Sequence, residues 1–488
     1  MNRDATRFAV PTAATALLLL AAAEMGALSP LRFAWATNLW QYLPTPLALG
    51  LAALTLALCW PPPRIELVRR LPYGVAERIL PGSPAATAIF AAASAFVLWL
   101  LRERHMYGDS NILLYNAAAG SAFLFPDIGA TFLFQLCQRF ATATGTSGQA
   151  IVQVAVALAG GCAIAVFTHV ARQLAPDAGR ALLLLLLVLG GGLARVLAGH
   201  VEVYAFVLLC AAVYFRTALA CLAGRLPATY PALAFGVGLW MHLSFSFLAP
   251  SLLLVVLLAC GDDRRAMPVT VLRAAVVAAL PVALFLAAMG VLGHTAELAQ
   301  ALETLRRWAG IEPSPVGHEA FLRSPFAASG AGTRYAILSA GHVKYLANAF
   351  FLLAPPALPI LAGFLVLAPR RFAASRDVAF LGIASLFMVL YALVVRPVWG
   401  PYDWDLFSLT ALSLATLAAT LLVRTMPDPP LTELGVLLVC GTLLLVTVPF
   451  VAIGIAPAHP AGPFAYGVES APGESPVDAF ERGLGPWL

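Results

Sequence analysis

The sequence predicts an all-α, polytopic transmembrane helical bundle, and three observations carry that expectation. Of its 488 residues 61% are hydrophobic and only 11% charged. At a mean hydropathy of +0.87 the chain is too apolar for a soluble globule. The apolar residues also come in runs of about 20, the length a helix needs to cross roughly 30 Å of hydrocarbon with its backbone satisfied internally. Finally, arginines fall in the short connections on alternate sides of those runs. The same composition excludes a disordered chain and a disulfide scaffold. With 29 basic against 24 acidic residues, a net charge of +5 and no dense basic run, nucleic acid is excluded as a partner. The cysteines lie almost all inside apolar stretches, where a thiol behaves as a small hydrophobe, and their spacing suggests neither a metal site nor disulfides.

About 13 spans are expected, with boundaries good to about four residues. The first three cover 10-28, 43-60 and 85-101. The first resembles a signal-peptide core, but Pro11 and Glu24 interrupt it and no small-x-small cleavage site follows, so it reads as an anchor. Next come 150-171, 181-198, 201-223, 229-245 and 246-260, the last two divided at the polar interruption Trp240-Met-His-Leu-Ser-Phe-Ser246. The remainder are 274-292, 343-367, 377-396, 406-424 and 432-454. Counting from an inner N-terminus, Arg3/Arg7, Arg64/Arg69/Arg70/Arg78, Arg172/Arg180, Arg216/Arg225, Arg264/Arg265/Arg273, Arg370/Arg371/Arg376 and Arg424 share one side. The positive-inside rule makes that side cytoplasmic. Counting 127-143 as a span would reverse every later arginine cluster, so that segment is expected along the outer interface.

Four regions follow: two additional N-terminal helices (1-84), a module with a long outer loop 102-149 (85-260), C-terminal helices with outer loop 293-342 (261-454), and a Pro/Gly-rich outer tail (455-488). The alanine, arginine and proline richness suggests a bacterial inner membrane, with the outer face periplasmic.

Under this topology the informative polar residues gather at the outer helix ends. Arg102-Glu-Arg-His-Met-Tyr-Gly-Asp-Ser110 follows the third span. Gly108 permits a turn there, and Asp109 offers a general base near the interface. Arg195-Val-Leu-Ala-Gly-His-Val-Glu-Val-Tyr204 joins the fifth and sixth spans. Ionisable groups so close to hydrocarbon face a cavity or a partner, and in a continuous helix Arg195 and Glu202 would share a face and pair. His242 is flanked by Ser244 and Ser246 at the tip of the seventh and eighth spans, where a packing histidine is the plainer reading. Lys344, the single lysine, lies in His342-Val-Lys-Tyr-Leu-Ala-Asn348, and as a point charge with three donors it suits a phosphate. Arg396-Pro-Val-Trp-Gly-Pro-Tyr-Asp-Trp-Asp-Leu-Phe-Ser408 offers two carboxylates among aromatics. These suit a divalent ion, a sugar hydroxyl or solvent, with Trp399 and Trp404 as interface anchors.

Tyr107-Gly-Asp-Ser110, Gly199-His-Val-Glu-Val-Tyr204 and Gly238-Leu-Trp-Met-His-Leu243, in that order, resemble the GT-C superfamily of membrane glycosyltransferases. The similarity is greatest to the branch of protein O-mannosyltransferase-like proteins, and Tyr402-Asp-Trp-Asp-Leu-Phe407 is similar to an acidic, aromatic turn in bacterial members. The resemblance implies a GT-C-like fold with interfacial helices in the first long loop. It also implies a polyprenyl-phosphate-linked sugar donor, with mannose as the candidate sugar, held between helices, and inverting transfer to an acceptor hydroxyl of a protein or glycan on the outer face. Asp109 would be the catalytic base. His200, Glu202, Tyr204, His242, Asp403, Trp404 and Asp405 would bind donor or acceptor, and Lys344, Arg195, His342 and Arg396 the phosphate. A divalent cation such as Mg or Mn would serve if one is used. The competing expectation is a transporter or flippase, whose ionisable residues usually lie near the midplane rather than at one face; a non-catalytic scaffold subunit is a third.

Overall fold

A computed structural model describes residues 3–24, 36, 39–59, 76–77, 79–104, 110–120, 127–261, 265–308, 339–373, 375–395, 400–427 and 430–456. Among these the chain is all-helical, without strands, and it is a multi-pass integral membrane protein. In chain order the helices are α1 (Arg3–Glu24), α2 (Thr45–Cys59), α3 (Pro84–Leu100), α4 (Ser110–Ala118), α5 (Ile128–Thr144), α6 (Gly148–Leu174), α7 (Ala178–Leu189), α8 (Gly192–Leu197), α9 (Tyr204–Leu222) and α10 (Thr229–Met241). They continue with α11 (Ala249–Cys260), α12 (Met267–Val291), α13 (Thr295–Trp308), α14 (Ala340–Leu353), α15 (Ala357–Leu367), α16 (Arg376–Val394), α17 (Ser408–Thr425), α18 (Pro430–Thr442) and α19 (Val448–Ile455). Short 3-10 turns cover Leu243–Leu248 and Gly400–Phe407.

Seven helical segments among the described residues are long and apolar enough to cross a membrane, against the 13 expected; α14 and α15 make an eighth only if taken together. The seven are α6, α9, Leu243–Cys260, α12, α16, Asp403–Thr425 and Glu433–Ile455. The regions around α1, α2, α3 and α7 form apolar helices of 10–17 residues. Two expected spans are interrupted for visible reasons. At 181-198 the helix stops at Gly190, and Gly191 takes φ 70°, a left-handed conformation in which a side chain is strained. The Gly191 N–H, freed from the helix ladder, donates to Thr447 Oγ1 at 2.9 Å, beside the π-helical turn Leu443–Thr447. At 343-367 the Pro355–Pro356 pair separates α14 from α15, and their axes bend by 107°. Proline lacks the N–H that would continue the ladder. Helix α5, which covers most of 127-143, is not among the helices long and apolar enough to cross.

Helix α17 runs through the centre and is buried from Ser408 to Val423. Its hydroxyls are satisfied mostly on its own backbone: Ser413 bonds the Leu409 carbonyl at 2.9 Å, Thr416 that of Leu412 at 2.6 Å and Thr420 that of Thr416 at 2.7 Å. Two more bonds join it to α16, Thr410 to the Met388 carbonyl at 3.1 Å and Ser385 to the Ser413 carbonyl at 3.1 Å. Elsewhere helices close on small residues. A Cβ at Gly161 of α6 would sit 2.4 Å from the Ala91 carbonyl oxygen of α3, so backbone lies on backbone there.

One end of the bundle is tied by arginines to helix termini. Arg424, at the end of α17, pairs with Asp377 in the first turn of α16 and donates to the Leu174 carbonyl at 2.6 Å. Arg180 donates to the Val423 carbonyl at 2.9 Å. At the opposite end the chain leaving α3 meets the start of α6, the turn between α8 and α9, and the segment entering α17.

Candidate functional site

At that opposite end a buried polar network is centred on Glu103. After α3 terminates, the chain is pinned by Gln153 of α6, whose side-chain amide donates to the Glu103 carbonyl at 2.9 Å, and by the Arg104 N–H, which donates to the Gly454 carbonyl at 2.9 Å. Glu103 thereby points inward and is fully enclosed. Its Oε2 accepts from Arg195 Nη2 at 2.7 Å and from His200 Nδ1 at 2.8 Å, and its Oε1 accepts from the Val201 N–H at 2.9 Å. Gly199, at φ 63°, lets the 198–203 turn pass Arg102 closely: a Cβ at 199 would sit 2.6 Å from Arg102 Cβ. Arg195 has no slack either, because a Cβ at Gly454 would sit 2.2 Å from its Cζ.

His200 links this network to the segment entering α17. Its Nε2 donates to Asp405 Oδ2 at 3.0 Å, and its ring stacks on Trp404 with centroids 5.4 Å apart. Phe450 meets the same indole edge to face at 4.8 Å. Burial opposes charge on His200, but the Glu103 carboxylate and the hydrogen bonds to Asp405 and Glu103 prevail and raise its pKa to about 9. Burial also acts against the Glu103 carboxylate, and the His200 and Arg195 charges overcome it, holding that pKa below the ordinary carboxylate range. At neutral pH the group is therefore an imidazolium and a guanidinium sharing one carboxylate, with Asp405 beyond. A lone surface ion pair contributes little, but one removed from water depends on its partners being complete.

The donor atoms of His200, Glu202 and Asp405 lie within 4.8 Å of one another, a spacing a metal ion accepts. A histidine protonated on both nitrogens has no lone pair to give. The set thus fits an ion-paired histidine, and what it offers a hard cation such as Mg or Mn is the oxygens of Glu202 and Asp405.

A second polar pair lies beside the first. His242 Nδ1 accepts from the Ser244 N–H at 2.9 Å, and its Nε2 lies 3.0 Å from Asp127 Oδ1. The Tyr204 ring, 5.5 Å from that of His242, begins α9 directly after the His200 turn. Four of the chain's acidic residues thus converge on one end of the bundle.

Among the sequence-predicted residues, His200, Glu202, Tyr204, His242, Trp404 and Asp405 come together here. Asp403 is buried in the same segment, and its carbonyl accepts from the Tyr345 hydroxyl at 2.9 Å. Trp404 is covered by His200 and Phe450 and is 3% exposed, so it props the histidine and presents no open face as an interface anchor or sugar platform. Arg195 pairs with Glu103, and the chain between Arg195 and Glu202 leaves the helix at Leu197, so the expected continuous helical face does not form. That guanidinium is 2% exposed and committed to a carboxylate, which removes it as an open phosphate ligand. His342 is buried at the start of α14, Lys344 is half-buried nearby, and Asn348 holds the Ala36 N–H at 3.0 Å. Asp109 and Arg396, with Gly108 and Trp399, lie outside the described residues.

Sequence reasoning passed over Glu103 and Asp127. Glu103 is flanked by Arg102 and Arg104 and reads as a solvated loop charge. Asp127, after Pro126 and before an apolar run, reads as a helix cap. No protein-family model matches the chain, and no curated protein matches it.

Proposed function

We propose that the protein is a membrane glycosyltransferase of GT-C type, moving a sugar, mannose being the first candidate, from a polyprenyl-phosphate donor to an acceptor hydroxyl. The observation that carries this reading is the gathering of carboxylates at one end of an apolar bundle: Glu202 and Asp405 beside His200, and Asp127 beside His242, whose ring lies 5.5 Å from that of Tyr204. Hydroxyl-rich substrates are held by carboxylates and aromatic edges, and a lipid-borne sugar must be met at the end of a span. The arginine-tied end of α6, α16 and α17 is the opposite one, which by the positive-inside rule makes it cytoplasmic and the site end periplasmic in a bacterial inner membrane. Two helices, α4 and α5, lie in the chain between the third apolar helix and α6, where the resemblance carried by Tyr107-Gly-Asp-Ser110 expects interfacial helices.

Asp109 immediately precedes Ser110, which is buried at the start of α4. In the proposed reaction its carboxylate takes the proton from the acceptor hydroxyl while that oxygen bonds the anomeric carbon. The bond from that carbon to the phosphate oxygen breaks, and the lipid phosphate leaves with the electron pair. Lys344, His342 and Arg396 are the cations and donors left to meet the leaving charge, since Arg195 is held by Glu103. A divalent ion, if one takes part, would be held by Glu202 and Asp405 and would supply charge for the phosphate.

The test is sugar transfer by purified protein in nanodiscs, with radiolabelled polyprenyl-phosphate sugars, with and without EDTA, beside Asp109→Asn. Release of polyprenyl phosphate that Asp109→Asn abolishes, at unchanged expression and lipid binding, is expected. Substantial turnover in the variant removes Asp109 from the base role. Saturable lipid binding without turnover on any donor moves the assignment to a transporter or flippase.

A further inference from the structure

We infer that the Asp127–His242 pair, with Thr131, Ser244 and the Trp240 indole, is a hydroxyl-recognition subsite that holds the sugar ring. Asp127 stands at the N-cap of α5, where an aspartate normally accepts from the helix's first free N–H groups and stabilises the helix by about 1 kcal/mol. Here its side chain makes no capping bond. It is turned instead toward His242, whose Nε2 lies 3.0 Å from Oδ1. Because His242 Nδ1 accepts from the Ser244 N–H, the ring's proton sits on Nε2, close to Asp127 Oδ1, which makes no hydrogen bond among the described residues. Oδ1 is buried while the side chain as a whole keeps 19% of its exposure, so the accessible part of Asp127 lies on its other atoms.

Around this pair are three buried polar atoms with no hydrogen-bond partner among the described residues: Thr131 Oγ1, Ser244 Oγ and Trp240 Nε1. Thr131 is 1% exposed and Ser244 4%. An unsatisfied buried donor or acceptor costs about 1–3 kcal/mol, and three together on two touching segments are rare in a native fold. The segments do touch, because a Cβ on Gly129 would lie 2.9 Å from the Trp240 ring. Thr131 lies one turn along α5 from Asp127, with its N–H on the Asp127 carbonyl at 2.8 Å.

The chemistry of the set selects the ligand. Asp127 only accepts, the Trp240 indole only donates, and the two hydroxyls do both. That combination matches neighbouring hydroxyls of a pyranose, each of which must donate once and accept once. It repels a phosphate, which would face the Asp127 charge without a cation of its own. Tyr204, two residues after Glu202 and with its ring 5.5 Å from that of His242, sits between the subsite and the Glu202–Asp405 cluster. The subsite therefore extends the proposed transferase site, and its role is to position the sugar rather than to move a proton.

The inference rests on the transferase reading, but its test does not need turnover. Binding of decaprenyl-phosphomannose and of decaprenyl phosphate to the full-length protein in nanodiscs is compared for wild type, Asp127→Asn and the double variant Thr131→Val/Ser244→Ala. Wild type is expected to prefer the mannosylated lipid by about tenfold, the worth of one good charged hydrogen bond. Each variant should lose most of that preference while its affinity for decaprenyl phosphate stays unchanged. If Asp127→Asn does not fold, the double variant reads the same quantity. A wild type that binds both lipids equally, or folded variants that keep the preference, overturns the subsite. Preference without turnover leaves the subsite standing and sinks the transferase; turnover without preference does the reverse.

Discussion

Glu103 and Arg195, 92 positions apart in the chain, meet at 2.7 Å with almost no exposure to solvent, and the histidine that completes their network arrives from the turn that follows Arg195. Three separate segments are fastened by one carboxylate. That relationship makes Glu103 the residue on which the geometry of the site end depends.

Glu103→Gln removes the charge from this carboxylate and leaves two buried cations facing a neutral amide. Breaking a buried pair in this way costs about 3–5 kcal/mol. The expected result is a clear fall in the thermal unfolding midpoint in detergent, together with reduced yield. A variant that melts with wild type would show that the network contributes nothing net.

The pH dependence of stability follows from the two shifted groups. His200, raised from 6.5 to about 9, contributes stability that is complete below 6.5 and is lost as pH climbs through about 9. Glu103, lowered from 4.5, contributes stability that is complete above 4.5 and is lost as pH falls through its folded value. The melting midpoint should therefore be highest between about 4.5 and 6.5 as far as these groups are concerned, and should decline toward pH 9. His200→Gln should flatten the alkaline decline; an unchanged slope there would place the responsible group elsewhere.

Gly454→Ala puts a methyl 2.2 Å from the Arg195 guanidinium carbon. Neither α19 nor the enclosed arginine can yield freely, so a loss of about 1–3 kcal/mol is expected, as for other overpacked interiors. Gly363→Ala serves as the control, because nothing lies within 4 Å of a Cβ there. Equal melting of the two variants would contradict the packing described.

Sidedness is open to direct measurement. Thr146 lies exposed beyond the start of α6 at the site end, and Arg225 lies exposed beyond the end of α9 at the other. In a background without the native cysteines, Thr146→Cys should react with an impermeant maleimide added outside the cell, and Arg225→Cys only after the membrane is opened. The reverse pattern would invert the orientation, and labelling of both from outside would refute a membrane between them.

The sequence spoke clearly where one physical signal dominates. Hydrophobic length marks the apolar helices, and the polar string 240-246 marks the end of α10, because both are properties of a single stretch of chain. The glycines at 190-192 and the prolines at 355 and 356 were breakers visible in the sequence, yet long apolar runs masked them, and two expected spans proved interrupted. His200, Glu202 and Asp405 stood out as ionisable groups at apolar boundaries. Their partner Glu103 did not, because a carboxylate between two arginines is locally indistinguishable from a solvated one. Only the tertiary contacts with Gln153 and Gly454 turn it inward. Trp404 misled for the converse reason: an aromatic beside acids suggests an interface or a sugar, whereas what covers its faces comes from residues 200 and 450.

Because α17 is enclosed on every side, it has no lipid-facing surface of its own in the finished protein. During synthesis it emerges after α7, α9, α15 and α16, the helices it packs against most, so its cradle is already present when it leaves the ribosome. Its serine and threonine hydroxyls, bonded back along the same helix, let it leave the ribosome into hydrocarbon without exposed polar groups and settle among helices already made. Chain order thus doubles as an assembly schedule, and a truncation ending after Thr425 should leave this helix seated among the neighbours made before it.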